Sequence, residues 1–174
     1  MARPLLRKVL FVTTSVVVVL LAFVTWYKLQ YSMSLANSFE VNTQQSGPRV
    51  LIATQGSQFK DAVVAGVIDH LRTRSAYVKV VDVSALPDVK EGEWNAIVVI
   101  HTLEMRRPPA EAQAFVDRMG GNHRAVVLST SGGGDFKMEG IDAISSASKI
   151  SEVPAHVAQI TARLDAILDA QPES

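Results

Sequence analysis

Nineteen consecutive residues near the N-terminus, Val9 to Tyr27, carry no charge, and this run constrains the chain more than any other feature. A helix of about 20 apolar residues crosses the hydrocarbon layer of a membrane. Three cations precede the run and one, Lys28, follows it, so the positive-inside rule keeps the N-terminal end in the cytoplasm. We therefore expect residues 1–8 to be cytoplasmic, residues 9–28 to form a single-pass transmembrane signal anchor, and the rest of the chain to be periplasmic or extracellular.

Two other interpretations of this run stay open. Ser34-Leu35-Ala36 offers small residues at the spacing of a signal-peptide cleavage site, although the apolar core of a signal peptide is usually only about 7 to 15 residues long. A buried helix of a soluble core is the third interpretation, and the β-branched, uncharged composition argues against it. A signal anchor fits the length of the run best.

The charge of the whole chain is balanced, with 17 Lys and Arg against 17 Asp and Glu among 174 residues. The first 37 residues hold four of these cations and no acid, so the remainder carries 13 cations against 17 acids, a formal charge of −4. This pattern argues against a nucleic-acid partner. The chain has no cysteine, which excludes disulfides and thiolate metal sites, and its four His lack metal-ligand spacing, so we expect no metal.

Residues 29–48 have the composition of a linker and end in Ser46-Gly47-Pro48. We expect one domain over residues 49–170 and a tail at 171–174. Short apolar runs predict five strands: Arg49 to Thr54, Tyr77 to Val83, Asn95 to His101, Arg124 to Thr130 and Ile141 to Ser146. Apolar stripes predict three helices: Phe59 to Thr73, one that opens at Pro108-Pro109 and stops at Gly120-Gly121, and a last one capped by Ser151.

Strands that alternate with helices predict an α/β fold, a doubly wound parallel sheet with helices on both faces in three α/β/α layers. Five strands suggest the order 2-1-3-4-5. The last connection is an exception, because only ten residues separate Thr130 from Ile141 and a parallel crossover generally needs about a dozen or more. The fifth strand is therefore expected to be short, irregular or antiparallel.

Ligands of such sheets bind at the carboxyl ends of the strands, where three loops are predicted to converge. The first loop runs from Thr54 to Lys60; its glycine, its hydroxyl groups and the helix start behind it suit a phosphate, and Lys60 adds charge. The second loop runs from His101 to Arg107 and the third from Ser129 to Gly134. Together the three loops suit a planar ligand with a phosphate tail.

Over residues 49–168 the chain resembles the flavodoxin-like family. The resemblance lies in three stretches, RVLIATQGSQFK, NAIVVIHTLEMRRPPAEAQAFV and RAVVLSTSGGG. Flavodoxins bind FMN with these loops and transfer electrons, so the resemblance implies FMN as the cofactor and a redox or other protein as the partner. It implies a flavin site formed by Thr54, Gln55, Gly56, Ser57, Gln58, Phe59, Thr102, Leu103, Glu104, Met105, Ser131, Gly132 and Gly133.

Other functions stay open beside this one. The phosphate loop reads Gln-Gly-Ser-Gln where the family has Thr-Gly-Asn-Thr or close to it, so a cofactor-free interaction or sensing domain is the second hypothesis. Asp142 to Ser148 is similar to the motif at which some membrane flavoproteins attach FMN covalently, with Ile150 in place of the acceptor Thr. Ser146 to Lys149 matches Ser-x-x-Lys without its companion motifs. A hydrolase ranks third, because no nucleophile stands at a recognisable spacing from a base.

Overall fold

The computed structural model describes residues 2–31, 34–43, 47–120 and 123–170. Ser46, Gly121 and the tail at 171–174, which carry parts of the predictions above, lie outside these ranges. The chain divides into two compact units, residues 1–33 and residues 34–174.

The first unit is the helix α1, Ala2–Tyr31. Its described side chains from Leu10 to Trp26 are exposed, and most of them are large and apolar. Within the described parts of the chain, no helix meets the combined length and apolarity of a membrane span. The span predicted for residues 9–28 thus has no structural support and stays a prediction.

The second unit is built on a six-stranded sheet whose strand order is β1-β3-β2-β4-β5-β6. The strands are β1 Phe39–Val41, β2 Arg49–Thr54, β3 Tyr77–Asp82, β4 Ala96–Thr102, β5 Ala125–Thr130 and β6 Ile144–Ser146. All neighbouring pairs are parallel except β1 with β3. The last five strands therefore have the predicted order 2-1-3-4-5, and the prediction of a doubly wound sheet is confirmed.

Helices cover both faces of the sheet because alternate residues of each buried strand point to opposite sides. Helices α2, Gln58–Thr73, and α4, Val153–Asp169, pack on the face that carries Val50 and Ile52 of β2. Helix α3, Ala110–Met119, packs on the face that carries Leu51 and Ala53. The three-layer α/β/α arrangement is thus confirmed.

The first difference from the prediction is β1, which lies inside the segment expected to be linker. Phe39 pairs with Val80 and Val41 with Val78, so β1 extends the sheet beyond β3 as an antiparallel edge strand. An edge strand needs burial on one side only and can be very short, so three residues without apolar periodicity suffice.

The prediction for the fifth strand is confirmed in one respect, because β6 is short, but the strand is parallel to β5, with Leu128 opposite Ile144. It starts three residues later than predicted, which lengthens the connection enough for a parallel crossover without a helix. Between β3 and β4 two 3₁₀ turns, Val83–Asp88 and Glu91–Glu93, take the place of a helix.

The helix ends agree only in part with the sequence prediction. Helix α3 stops at Gly120, which has the positive φ of 56° that glycine accommodates at a helix C-terminus. The predicted cap of α4, Ser151, lies instead in a 3₁₀ turn, Ile150–Glu152, and Glu152 occupies the cap position without a side-chain hydrogen bond. Pro154 in the first turn of α4 fixes the helix start instead.

Candidate functional site

The first loop joins the carboxyl end of β2 to the start of α2. Ser57 is the N-cap of α2, and its Oγ accepts a hydrogen bond from the Lys60 amide at 3.2 Å. The first amides of the helix, those of Gln58 and Phe59, have no acceptor within the helix, as at every helix start. Their N–H groups and the positive end of the helix dipole make this loop suitable for an anion.

Residues 34–37, which we call the strap, lie against this loop. The Gly56 amide donates to the Ser34 carbonyl at 2.7 Å. The Ala36 amide donates to Oδ2 of Asp82, at the end of β3, at 2.8 Å. A Cβ atom added to Gly56 would lie 2.9 Å from the Ser34 oxygen and 3.1 Å from that of Leu35, so the position admits only glycine while the strap is in place.

A buried polar cluster lies behind the first loop, at the carboxyl ends of the central strands. Lys60 is only 1% exposed, and its Nζ donates to Oγ1 of Thr102 at 2.8 Å. The same Thr102 oxygen lies 2.8 Å from Oγ1 of Thr130. Burial removes water from the ammonium and lowers the pKa of Lys60 to about 8, against the opposing charge of Asp61. The cluster therefore places under the loop an ammonium group whose pKa is lower than that of an ordinary lysine.

The first and second loops are joined by Gln55. Its Oε1 accepts a hydrogen bond from the Thr102 amide at 2.8 Å, and its own amide donates to the Ile100 carbonyl at 3.3 Å. Thr54, which precedes it, is buried. These contacts fix two of the three predicted loops next to each other at one edge of the sheet.

The second loop is a tight turn from Glu104 to Arg107, whose backbone groups exchange hydrogen bonds at 2.9 Å in both directions. Its central residues, Met105 and Arg106, have positive φ values of 49° and 65°. Such values are unfavourable for residues other than Gly, Asn and Asp. Leu103 at the base is buried, whereas Met105 at the tip is 96% exposed. The turn thus presents an apolar side chain to solvent in a strained backbone.

The third loop is held to β6, because the Ser131 amide donates to the Ser146 carbonyl at 3.0 Å. Oγ of Ser131 accepts from the Gly134 amide at 3.0 Å, and Gly134 has a φ of 75°. Further along this loop, Phe136 lies under the guanidinium of Arg106, whose carbon is 4.4 Å from the ring centroid. The second and third loops are therefore linked through a cation–π contact.

His101 and Ser129 form a second buried pair on the face of the sheet that carries α3. The His101 Nε2 and Ser129 Oγ atoms are 3.1 Å apart, and the same oxygen accepts from the Met138 amide at 3.2 Å. Nδ1 of His101 is buried without a hydrogen-bond partner among the described residues. Burial is the main reason that the pKa of His101 falls to about 4, so the ring is neutral at pH 7. Both side chains are fully buried, so no substrate reaches this pair.

The structure places the predicted site residues along one edge of the sheet, but not all of them face a ligand. Thr54, Phe59 and Leu103 are buried, and Thr102 belongs to the buried polar cluster. Exposed positions include Gln58, Glu104, Met105, Gly132 and Gly133.

Sequence reasoning missed two contributors, the strap and Asp82. Asp82 stands at the carboxyl end of β3, a position that could have marked it as part of the site. The pKa of Asp82 is lowered, since the hydrogen bonds from Ala36 and Ser84 outweigh the desolvation that raises it.

Two weaker sequence matches find no matching geometry in the structure. Oγ of Ser146 accepts from the Ser148 amide, and Nζ of Lys149 pairs with Glu152 at 3.2 Å, so the Ser-x-x-Lys residues do not form a dyad. Ile150 of the covalent-attachment pattern is half exposed and has no nucleophile. Across the described ranges, no group of His and acids could hold a metal ion.

A groove of about 670 Å³ opens beside the first loop. It is lined by the strap, Phe39 and Ser57, and by Val64 and Ile68 of α2 with Val80 of β3. This volume is in the range of small-molecule pockets. The strap and Gly56 of the first loop therefore line the same groove.

Comparison with known proteins rests on structure alone. No protein-family model matches the sequence, and no curated protein matches it. The flavodiiron core from Synechocystis superposes with a TM-score of 0.51 at 13% identity, covering 74% of this chain and 38% of that chain. An oxidoreductase from Corynebacterium diphtheriae matches with a TM-score of 0.48 at 11% identity, over 74% of this chain and all of the other. A flavodoxin from Pseudomonas aeruginosa matches with a TM-score of 0.45 at 11% identity, over 67% and 99% of the chains.

Sequence identities this low support a shared fold and do not support a shared activity. The sheet order, the three layers and the superposition on the Synechocystis core agree with one another. The domain that follows residue 33 is therefore flavodoxin-like in fold, as its sequence resemblance predicted.

Proposed function

We propose that the flavodoxin-like domain binds FMN at its three loops and serves in electron transfer. The observation that carries this proposal is the glycine loop at the start of α2, with Ser57 as cap and the amides of Gln58 and Phe59 free of intrahelical acceptors. Such an arrangement binds phosphate through N–H groups and the helix dipole. The buried ammonium of Lys60 adds positive potential behind the loop.

The residues present fit a phosphate ester better than they fit a metal or a nucleophilic reaction. Amide donors, hydroxyl groups and one buried cation make up the donor set of the first loop. The loop amides and Ser57 would hold the phosphate, while the second and third loops would lie along the ring system. When bound, FMN would supply reversible electron transfer. The chain's own part would be to hold the phosphate at the first loop and to orient the flavin.

The proposal is tested by adding FMN to the purified full-length chain. We expect quenching of FMN fluorescence and a rise in the thermal midpoint, because a ligand that binds only the folded state stabilises it by mass action. The Ser57→Asp variant should lose binding, since a carboxylate at the cap repels phosphate. The Ser57→Asn variant is the matched control: Asn caps the helix as well as Asp and has nearly the same shape, but no charge. Equal binding by both variants would contradict a phosphate at this cap.

A cofactor-free interaction or sensing domain is the second candidate function, and a specific observation favours it. The strap holds the Gly56 amide, and the Arg106 guanidinium stacks on Phe136 between the loops that would flank a flavin. In that case the exposed Met105 tip belongs to a surface for a protein partner. A folded chain whose melting temperature does not move with FMN at millimolar concentration would favour this candidate.

We also infer that residues 9–28 anchor the protein in a membrane, with the domain on the outer side. The support is the uncharged run and the excess of cations before it. The full chain should remain in the membrane fraction after carbonate extraction, and protease added outside spheroplasts should digest the domain. A soluble product that starts near Asn37 would point to a cleaved signal peptide instead.

A further inference from the structure

The strap is held to the domain by few contacts. One is the hydrogen bond from the Gly56 amide to the Ser34 carbonyl, and another joins the Ala36 amide to the Asp82 carboxylate. Ser34 and Asn37 are exposed, and the side chain of Leu35 is 78% exposed. A segment that buries so little apolar surface opens at low cost compared with the core.

The strap also covers the part of the loop that a phosphate would use. The carbonyl oxygens of Ser34 and Leu35 lie 2.9 and 3.1 Å from the Cβ position of Gly56, which is the open side of the glycine. Carbonyl oxygens carry partial negative charge, and the neighbouring Ala36 amide is bonded to the Asp82 carboxylate. A phosphate therefore cannot share this side of the loop with the closed strap.

We infer that residues 34–37 are a lid on the glycine loop, and that a phosphate-bearing ligand binds by displacing it and taking the Gly56 amide from the Ser34 carbonyl. This inference rests on the proposed function, because it describes how the same site is regulated. The apparent dissociation constant of the ligand is then the intrinsic one divided by the fraction of molecules whose lid is open. Any change that weakens the lid tightens binding.

One substitution weakens the lid without touching the loop. Ala36→Pro removes the N–H group that donates to Asp82, because proline has none. Asn37→Pro is the matched control, since it adds the same rigid ring to the strap and leaves the Ala36 amide in place. We expect Ala36→Pro to bind FMN about threefold to tenfold more tightly than wild type, and Asn37→Pro to differ less.

Hydrogen exchange on the full-length wild-type chain gives a second readout that does not depend on any variant. Saturating FMN should speed exchange of the Ala36 amide, because its bond to Asp82 is broken, while the Gly56 amide stays protected by its new acceptor. Inorganic phosphate at high concentration should have the same effect if the phosphate group alone displaces the lid.

The outcomes separate the two hypotheses. If FMN binds but the Ala36 amide keeps its protection and Ala36→Pro binds no more tightly, the lid is wrong and the flavin site stands. If FMN binds neither wild type nor Ala36→Pro, the flavin site is wrong and the lid falls with it. If Ala36→Pro binds FMN and wild type does not, both are supported.

Discussion

Lys60 offers a quantitative test of the buried polar cluster. Its side chain is almost fully buried, and burial lowers the pKa of its ammonium from 10.5 to about 8. In the unfolded chain the amine returns to its ordinary pKa and binds its proton more tightly. The difference between these values corresponds to about 3 kcal/mol, by which the protonated lysine destabilises the fold at pH 7.

The direction in which stability changes with pH follows from the number of protons that Lys60 binds in the folded and the unfolded chain. Between about pH 8 and pH 10.5 the unfolded chain binds more protons at Lys60 than the folded one, so stability rises with pH in this window. The penalty is fully present below pH 8. The Lys60→Met variant removes it and also loses the hydrogen bond to Thr102, which contributes about 1 kcal/mol. We therefore expect a gain of about 2 kcal/mol in the free energy of unfolding at pH 7 and no gain at pH 10.

The assay is urea unfolding at pH 7 and pH 10, followed by the fluorescence of the buried Trp94 in a Trp26→Phe background. Lys137→Met is the matched control, because Lys137 is exposed in the third loop. Its effect should be small and the same at both pH values. If the stability difference between Lys60→Met and wild type does not change between pH 7 and pH 10, the reasoning about the buried ammonium is wrong.

Two further predictions concern packing and charge. Burial raises the pKa of Asp165, but hydrogen bonds from His70 and Arg74 outweigh it and lower the pKa, so its stabilising effect is full above its ordinary pKa and is lost as the pH falls through the lowered one. Asp165→Asn should cost about 1 kcal/mol or less at pH 7, and the difference in urea midpoint from wild type should shrink as the pH is lowered below the ordinary pKa of the carboxyl. The Arg49 guanidinium lies 5.8 Å from the Tyr77 ring centroid and 5.1 Å from that of Trp94, so Arg49→Gln should lower the free energy of unfolding by about 1 kcal/mol, more than Arg72→Gln at an exposed ion pair.

The central sheet could be predicted from sequence because local pattern and tertiary burial agree there. The stretch RVLIAT is apolar throughout and forms β2, which is covered on both faces. Val63, Val67 and Leu71 fall on one helical stripe and are buried in α2. Strand β1 has only three residues and one partner strand, so its sequence is too short to show an alternation of apolar and polar residues.

The sequence analysis placed Lys60 and His101 in the candidate loops, but their burial could also have been predicted and was not. Lys60 lies on the same helical stripe as Val64 and Val67, which marks a core-facing position. His101 continues the alternation of Ile97 and Val99 and therefore points to the same face of the sheet. The turn at Met105 and Arg106 has no such signal, because neither residue favours positive φ and the conformation depends on contacts with the rest of the loop edge.

The strand order also bears on how the domain is made. Strand β2 emerges first among the parallel strands, and β3, β4, β5 and β6 then add in order to an edge that already exists. Strand β1 is an exception. It is made before β2, but it can pair only after β3 is made, because Glu40 of β1 pairs with Lys79 of β3. Helix α4, which packs with α2 on one face of the sheet, is made last. A chain cut before Val153 would therefore carry a finished sheet with α2 as the only helix on that apolar face, and such a truncated product should aggregate.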